Sequence, residues 1–400
     1  MVRISSVPID LAPLIAPWIE IVRDQVPGLE LFDAHTHIGR NDPDGMKQEP
    51  EELVASLRQA GARGAFTFPM HEPDGYPNAN DMVLAAAAQS DGLLVPFCRV
   101  NPHVDPVPEA RRSLDAGARG IKLHPRAEQF TLDHPAIREL VALADERTLP
   151  VLIHAGRGIP ALGLHAVELA GEFPNARLIL AHAGISDLSW IWRVAPDLPN
   201  LLFDTAWWIP ADMLTLFSLV PPGQIVFASD SPYGRTTQSA AIHLRWALQA
   251  GLSADQIRSI ASEQSLRIAA GEPLHAAGPP VGERERAPHL LLDRVAQLLM
   301  MTVITTMRGA PEAAVEGLAL TRLALDVPDE IDDAPVFAAI RSLIDAFDEL
   351  NVLAPEDRRR LGPLILAATV AQTPDVPVPG ATSLDASPDS APRSAAARSA

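Results

Sequence analysis

Five groups able to bind a divalent cation close apolar runs in this chain. The first run ends in Asp33-Ala34-His35-Thr36-His37. Val151-Leu152-Ile153-His154 and Leu178-Ile179-Leu180-Ala181-His182 each end in histidine, and Ile225-Val226-Phe227-Ala228-Ser229-Asp230 ends in aspartate. Residues two apart in a strand face the same side, so His35 and His37 project together and their imidazoles can share one ion. One core histidine can be satisfied by a backbone carbonyl. Several clustered without a cation need many partners, whereas neutral imidazole and carboxylate are natural Zn²⁺ ligands. In Gly120-Ile121-Lys122-Leu123-His124-Pro125, Lys122 and His124 share a face. Lys122 can bind a substrate carboxylate, can be carboxylated by CO₂ and bridge two metals, or can simply pair with Asp204 or Asp230. His124, before a proline, is a candidate for substrate contact or for the layer behind the ion.

The elements that must position these groups alternate. Apolar runs at 30–37, 64–69, 93–100, 120–124, 151–154, 178–182, 201–205 and 225–230 read as strands. Helix-period stretches at 51–60, 79–89, 135–146 and 239–250 lie between them. Strands alternating with helices imply a parallel sheet covered by helices, and eight units fit a closed (β/α)₈ TIM barrel. The strand C-termini of such a barrel converge on one face, where the metal-ligand residues would meet. An open doubly wound sheet is the alternative, weakened because no Gly-x-Gly-x-x-Gly follows the first strand.

The expected organisation is an N-terminal extension over 1–29, the barrel over 30–272 and a linker over 273–288 containing Gly278-Pro279-Pro280. Residues 253–270 read as one helix capped by Ser253. An all-helical appendage over 289–372 follows, with helical periods at 290–307, 311–325, 334–350 and 355–371. A Pro-, Ala- and Ser-rich tail over 373–400 is expected to be disordered.

The chain has 400 residues, 47% of them hydrophobic, and a formal charge of −18 from 32 basic and 50 acidic residues. Such acidity repels nucleic acid and anionic lipid, so the expected partner is a small-molecule substrate, with homo-oligomerisation left open. The single cysteine, Cys98, lies in an apolar run and excludes both disulfide scaffolding and a Cys-rich metal site. Pro8, Asp10, Pro13 and Pro17 interrupt the N-terminus, so no signal peptide is read. No uncharged run of about 18 apolar residues marks a membrane span, and a cytoplasmic protein is expected.

Taken in order, the Asp33–His37 motif, Gly120–Pro125, Ile153-His154-Ala155-Gly156, Ala181-His182-Ala183-Gly184 and Ser229-Asp230-Ser231-Pro232-Tyr233 resemble the amidohydrolase superfamily. The similar branch is the amidohydrolase-related, aminocarboxymuconate-semialdehyde decarboxylase-like group, over roughly residues 30–270. The resemblance implies metal ligands His35, His37, His154 and Asp230, with His182 beside the ion as a catalytic group. It also leaves room for a second ion held by His154, His182 and a carboxylated Lys122; the flanking motifs favour a single ion, Zn²⁺ or Mn²⁺.

In the hydrolytic reading a metal-activated water attacks a C–N or C–O bond. Asp230 acts as base, and His182 orients the water or stabilises the oxyanion. His71, His124, Arg157, Trp207 and Tyr233, in loops after the strands, are the candidate substrate contacts. The same ligands would also serve non-oxidative decarboxylation of an unsaturated or aromatic carboxylic acid. A non-catalytic binding protein, using its helical C-terminus as the interaction module, is the rival from a different class.

Overall fold

The computed structural model describes residues 9–43, 45–156, 159–283, 289–326 and 333–380. Strand β1 (Leu31–Ile38) pairs in parallel with β2 (Ala62–Pro69), and β2 with β3 (Leu94–Pro96). After Phe97 the chain continues as β4 (Cys98–Arg99), which pairs with β5 (Ile121–Leu123). The Phe97 N–H donates to Thr67 O on one side (2.8 Å), and the Cys98 N–H to Gly120 O on the other (3.0 Å). The run expected at 93–100 is therefore one barrel strand that changes partner midway. Parallel pairing proceeds through β6 (Pro150–Ile153), β7 (Arg177–Leu180), β8 (Leu201–Asp204) and β9 (Ile225–Val226). The ends meet where the Ala34 N–H donates to Phe227 O and the His37 N–H to Ser231 O, both 2.8 Å. These bonds close an eight-stranded parallel barrel, as the β/α alternation implies.

Below the mouth the barrel is solid. Phe32, Phe66 and Phe97 pack in sequence with ring centroids 4.9 and 4.7 Å apart. Leu152, Ile179, Leu202 and Val226 complete the same buried layer. Gly120 is needed there, because a Cβ would lie 2.6 Å from the Phe97 ring. Chemistry is thus confined to the open end.

The jacket comprises α2 (Pro50–Ala60), α3 (Pro77–Ala88), α4 (Pro106–Asp115), α5 (Pro135–Arg147), α6 (Leu162–Glu172), α7 (Leu188–Ile191), α8 (Pro210–Leu219) and α9 (Thr236–Ala250). Proline in the first turn recurs, where a missing N–H costs nothing. In the N-terminal extension, α1 (Ala12–Gln25) packs on α9 and buries Trp18, Ile19 and Val22. The helix expected over 253–270 is interrupted. Ser253 caps α10 (Ala254–Arg258) with a capping box, then a π turn over Ser259–Glu263 precedes α11 (Gln264–Ala270). The Ile260 carbonyl in that turn accepts the Phe227 N–H at 2.9 Å, anchoring the eighth strand as it leaves the sheet.

The appendage consists of α12 (Leu290–Met307), α13 (Pro311–Ala324), α14 (Ala334–Leu353) and α15 (Gly362–Gln372). The last starts at Gly362 rather than 355, with Pro363 in its first turn. Helix α12 is long and apolar enough to cross a membrane by length and composition. Its Leu292, Val295, Leu299 and Val303 are nevertheless buried, and it packs against α13 and α15.

The expectation that disorder begins at 373 needs correction over 373–380. Arg245 on α9, 1% exposed, donates to Thr373 Oγ1 (2.6 Å), Thr373 O (3.0 Å), Val376 O (2.6 Å) and Pro377 O (2.5 Å). Gln249 adds a bond to Asp375 at 2.7 Å, and Val376 and Val378 are buried. A buried guanidinium has to find acceptors, and this segment supplies four. The remainder of the expected tail, 381–400, lies outside the described residues.

Candidate metal centre

Three ligand atoms meet at the mouth. His35 Nε2, His37 Nε2 and Asp230 Oδ1 lie 3.1 Å from one another on each side of a triangle. A cation at bond lengths of about 2.1 Å touches all three from on the order of 1 Å out of their plane, without any ligand moving. These are the only three described residues that form such a group.

Local structure sets each contributor. β1 presents both histidines on its inner face, and Asp204 at the end of β8 accepts from His35 Nδ1 at 2.7 Å. That bond places the His35 proton on Nδ1 and a lone pair on Nε2. The lone pair faces the Asp230 carboxylate oxygen, and two acceptors 3.1 Å apart repel unless a proton or a metal cation lies between them. A carboxylate behind a metal-binding imidazole is a recurrent arrangement. Asp230 sits at φ 60°, in the left-handed region, where the Tyr233 N–H donates to its carbonyl at 2.8 Å. Asp33, fully buried, holds that loop by accepting from the Ser229 N–H (2.9 Å) and the Thr236 hydroxyl (2.7 Å). Such backbone excursions are typical of sites whose surroundings over-determine them.

The charge states match a ligand set at His37, His154 and Asp230. At His35, burial and Lys122 are outweighed by Asp230 and Asp204, which raise the imidazole above the ordinary histidine value, so a metal binding at Nε2 displaces a proton. Burial pushes His37 down to about 3, and burial together with the neighbouring His182 holds His154 well below the ordinary histidine value. Burial alone would raise the Asp230 carboxyl, but the adjacent His35 and His37 rings hold it well below the carboxylate range. Neutral imidazoles and an ionised carboxylate are the forms that bind a metal.

His154 stands outside the triangle. The His182 Nδ1 lies 2.8 Å from the Ala206 carbonyl, so it carries a proton. His182 Nε2 then accepts from His154 Nδ1 at 2.9 Å. This relay leaves His154 Nε2 with a bare lone pair, and that atom is buried without a partner. Sequence reading places His182 beside the ion as a catalytic group. In the structure its ring lies 5.3 Å from that of His35, with Nδ1 at the Ala206 carbonyl and Nε2 at His154. His124 stacks on His154 at 3.9 Å and 12°.

Lys122 is fully buried. Its Nζ lies 3.3 Å from His35 Nε2 and 4.6 Å from the Phe68 ring centroid, and burial pushes the amine down to about 7. Neither Asp204 nor Asp230 forms an ion pair with it among the described residues, contrary to the simple pairing considered for this lysine.

The triangle opens into a cavity of about 430 Å³ lined by His37, Met70, His71, Arg99, His124 and Tyr233 among others. Three of the expected substrate contacts, His71, His124 and Tyr233, border it. Tyr233 is 45% exposed, and its hydroxyl donates to Asp42. Trp207 does not border it: its indole N–H donates to Asp212 at 2.7 Å, and it packs 6.3 Å from the His182 ring. Arg157 lies outside the described residues.

Sequence reading missed Arg99 and Glu128, a buried pair at 2.7 Å, and Tyr76, whose hydroxyl donates to Glu128 at 2.5 Å. The signal available was a charged residue inside the apolar run at 93–100. A buried ion pair beside a cavity is costly unless its remaining groups are satisfied, which marks it for attention.

The amidohydrolase family profile matches residues 32–268, and the chain belongs to that family. Comparison with curated proteins finds no match. Similar solved structures include a dihydroxybenzoic acid decarboxylase from Polaromonas sp. JS666 with bound manganese and 2-nitroresorcinol. It has 14% identity over 60% of this chain and 97% of that one, with a TM-score of 0.48. Another is 2,6-dihydroxybenzoate decarboxylase from Rhizobium, with 14% identity over 60% and 99% and a TM-score of 0.47. A third is 4-oxalomesaconate hydratase from Rhodopseudomonas palustris, with 16% identity over 60% and 96% and a TM-score of 0.45.

Proposed function

We propose that this chain is a metal-dependent hydrolase of a C–N or C–O bond in a small molecule, holding one divalent ion, zinc or manganese. The observation that carries the reading is the unequal exposure of the triad. The His35 and His37 side chains are 1% and 6% exposed, while Asp230 is 20% exposed toward the cavity. A carboxylate that touches the ion site and also reaches the cavity is placed to take a proton from water.

His35, His37 and Asp230 would hold the ion, with His154 as the candidate further ligand. Such an ion supplies a water of lowered pKa and polarises a carbonyl. Asp230 takes the water's proton as the oxygen attacks the substrate carbon. Asp204 keeps His35 in the tautomer whose Nε2 faces Asp230, and His182 fixes the His154 ring through Nδ1. Engagement of both His182 nitrogens supports a single ion over the two-metal arrangement.

Decarboxylation is the second reading. It is favoured by Arg126, an exposed cation on the same cavity that suits a carboxylic acid substrate. The test is product analysis with metal-loaded protein on amides, lactams, lactones, esters and unsaturated or aromatic carboxylic acids. A new acid with an amine or alcohol supports hydrolysis. CO₂ release without those products overturns it in favour of decarboxylation.

A further inference from the structure

The wall of the cavity reached from the second and fourth barrel loops carries groups that the reading above leaves idle. His71, just past β2, borders the cavity with a side chain 27% exposed, yet its Nδ1 is buried and unpartnered. The accessible edge of the ring is therefore the Nε2 side. Glu128, 2% exposed, approaches from the loop after β5, with Oε1 3.9 Å from His71 Nδ1. Its Oε1 accepts from Tyr76 and from Arg99 Nη2, while its Oε2 is buried with no partner. Two unsatisfied polar atoms thus belong to side chains separated by less than one water diameter beyond hydrogen-bond range. A small rotation of the His71 ring would bring Nδ1 onto the Glu128 carboxylate, whose Oε2 is the oxygen without a partner. Tyr76 and Arg99 hold the carboxylate, so the imidazole is the partner that moves. Catalytic hydrogen bonds are often long before substrate binds.

We propose that His71 is the proton donor to the leaving group in this cavity, and that Glu128 is a positioning residue that keeps the His71 proton on Nδ1. The assignment rests on the hydrolytic reading. In amide hydrolysis the water oxygen bonds to the carbonyl carbon and its proton goes to Asp230. The C–N bond breaks with its electron pair on nitrogen, and the His71 imidazolium gives that nitrogen its Nε2 proton. His71 is left neutral and Asp230 protonated, and proton exchange with solvent restores both. Glu128 touches neither substrate nor ion.

Long-range ¹H–¹⁵N correlation on histidine-labelled, metal-loaded full-length protein tests the positioning, with His71 assigned by difference from His71→Asn. The neutral ring is expected protonated on Nδ1 in wild type and redistributed toward Nε2 in Glu128→Gln. A wild-type ring protonated on Nε2 overturns the proposal, and that result needs no substrate and no folded Glu128 variant. The donor role is read from leaving groups. His71→Asn is expected to lose about 10²-fold in kcat on acetanilide, whose nitrogen must be protonated, and little on p-nitrophenyl acetate, whose phenolate leaves unaided. Equal losses on both probes overturn it. Wild-type protein inert on every ester, lactone and amide sinks the hydrolytic reading instead, and the tautomer result separates the two failures.

Discussion

Asp204→Asn replaces one atom and leaves the shape of the site intact, yet the geometry at His35 makes its effect large. Asp204 Oδ1 accepts the backbone N–H groups of His182 (2.7 Å) and Ala206 (3.0 Å), and Oδ2 accepts from His35 Nδ1 (2.7 Å). The new amide must keep its oxygen on the two backbone donors, so its NH₂ faces His35 Nδ1. Donor cannot meet donor. His35 therefore either moves its proton to Nε2, losing the lone pair aimed at the ion site, or keeps Nδ1–H against the NH₂. Keeping it forfeits a hydrogen bond to a charged group, about 1.5–3 kcal/mol. At about 1.4 kcal/mol per tenfold, metal affinity should fall roughly 10- to 100-fold, the range found when a partner behind a metal-bound histidine is removed. The assay is residual metal after equilibration against graded chelator, with circular dichroism to confirm folding. A folded variant that retains its ion at the same chelator concentration as the parent would refute the tautomer argument.

Asp230→Asn should remain folded and lose about 10²- to 10⁴-fold in turnover of whichever substrate the product panel identifies, and a parent-like kcat would remove Asp230 from the mechanism. His243, pushed down to about 4 by burial and 3.1 Å from the Thr205 hydroxyl, makes stability depend on pH. Between that value and the ordinary 6.5 the unfolded chain binds a proton that the folded chain refuses. Stability present above pH 6.5 is therefore lost as pH falls toward 4, by up to ~3 kcal/mol. Urea melts at pH 7 and 4.5 should show a smaller drop in His243→Gln; an identical drop assigns the effect elsewhere. Arg245→Met keeps the apolar stem but releases Thr373, Val376 and Pro377, at a cost on the order of 2–3 kcal/mol. Thermal melts and protease cutting within 373–380 check this, and an unchanged melting temperature would mean that the clasp contributes nothing.

Much of the barrel was legible because its cause is local. Short apolar runs that end in a polar group, each followed by a helix-period stretch, are what a strand buried on both faces and its covering helix require. The same logic brought out His35, His37, His154, His182 and Asp230, since a polar group ending a buried strand has to be answered by something at the barrel mouth. The π turn at Ser259–Glu263 was not legible: the carbonyl it frees is taken by Phe227, whose approach depends on barrel closure. The ordered stretch 373–380 reads by composition as part of a disordered tail. It is held by Arg245, a helix residue 128 positions away from Thr373.

From residue order alone came the periods, the strand ends, the ligand types and the acidity, because these depend on neighbours within a few positions. Only the folded chain decides which nitrogen of each imidazole carries its proton, since Asp204, Ala206 and His182 set the tautomers from distant parts of the sequence. Likewise it alone brings Tyr76, before α3, and Arg99, at the end of β4, onto the Glu128 carboxylate in the loop after β5. Hydrogen-bond direction and burial are properties of pairs brought together by closure of the barrel, and no local pattern encodes them.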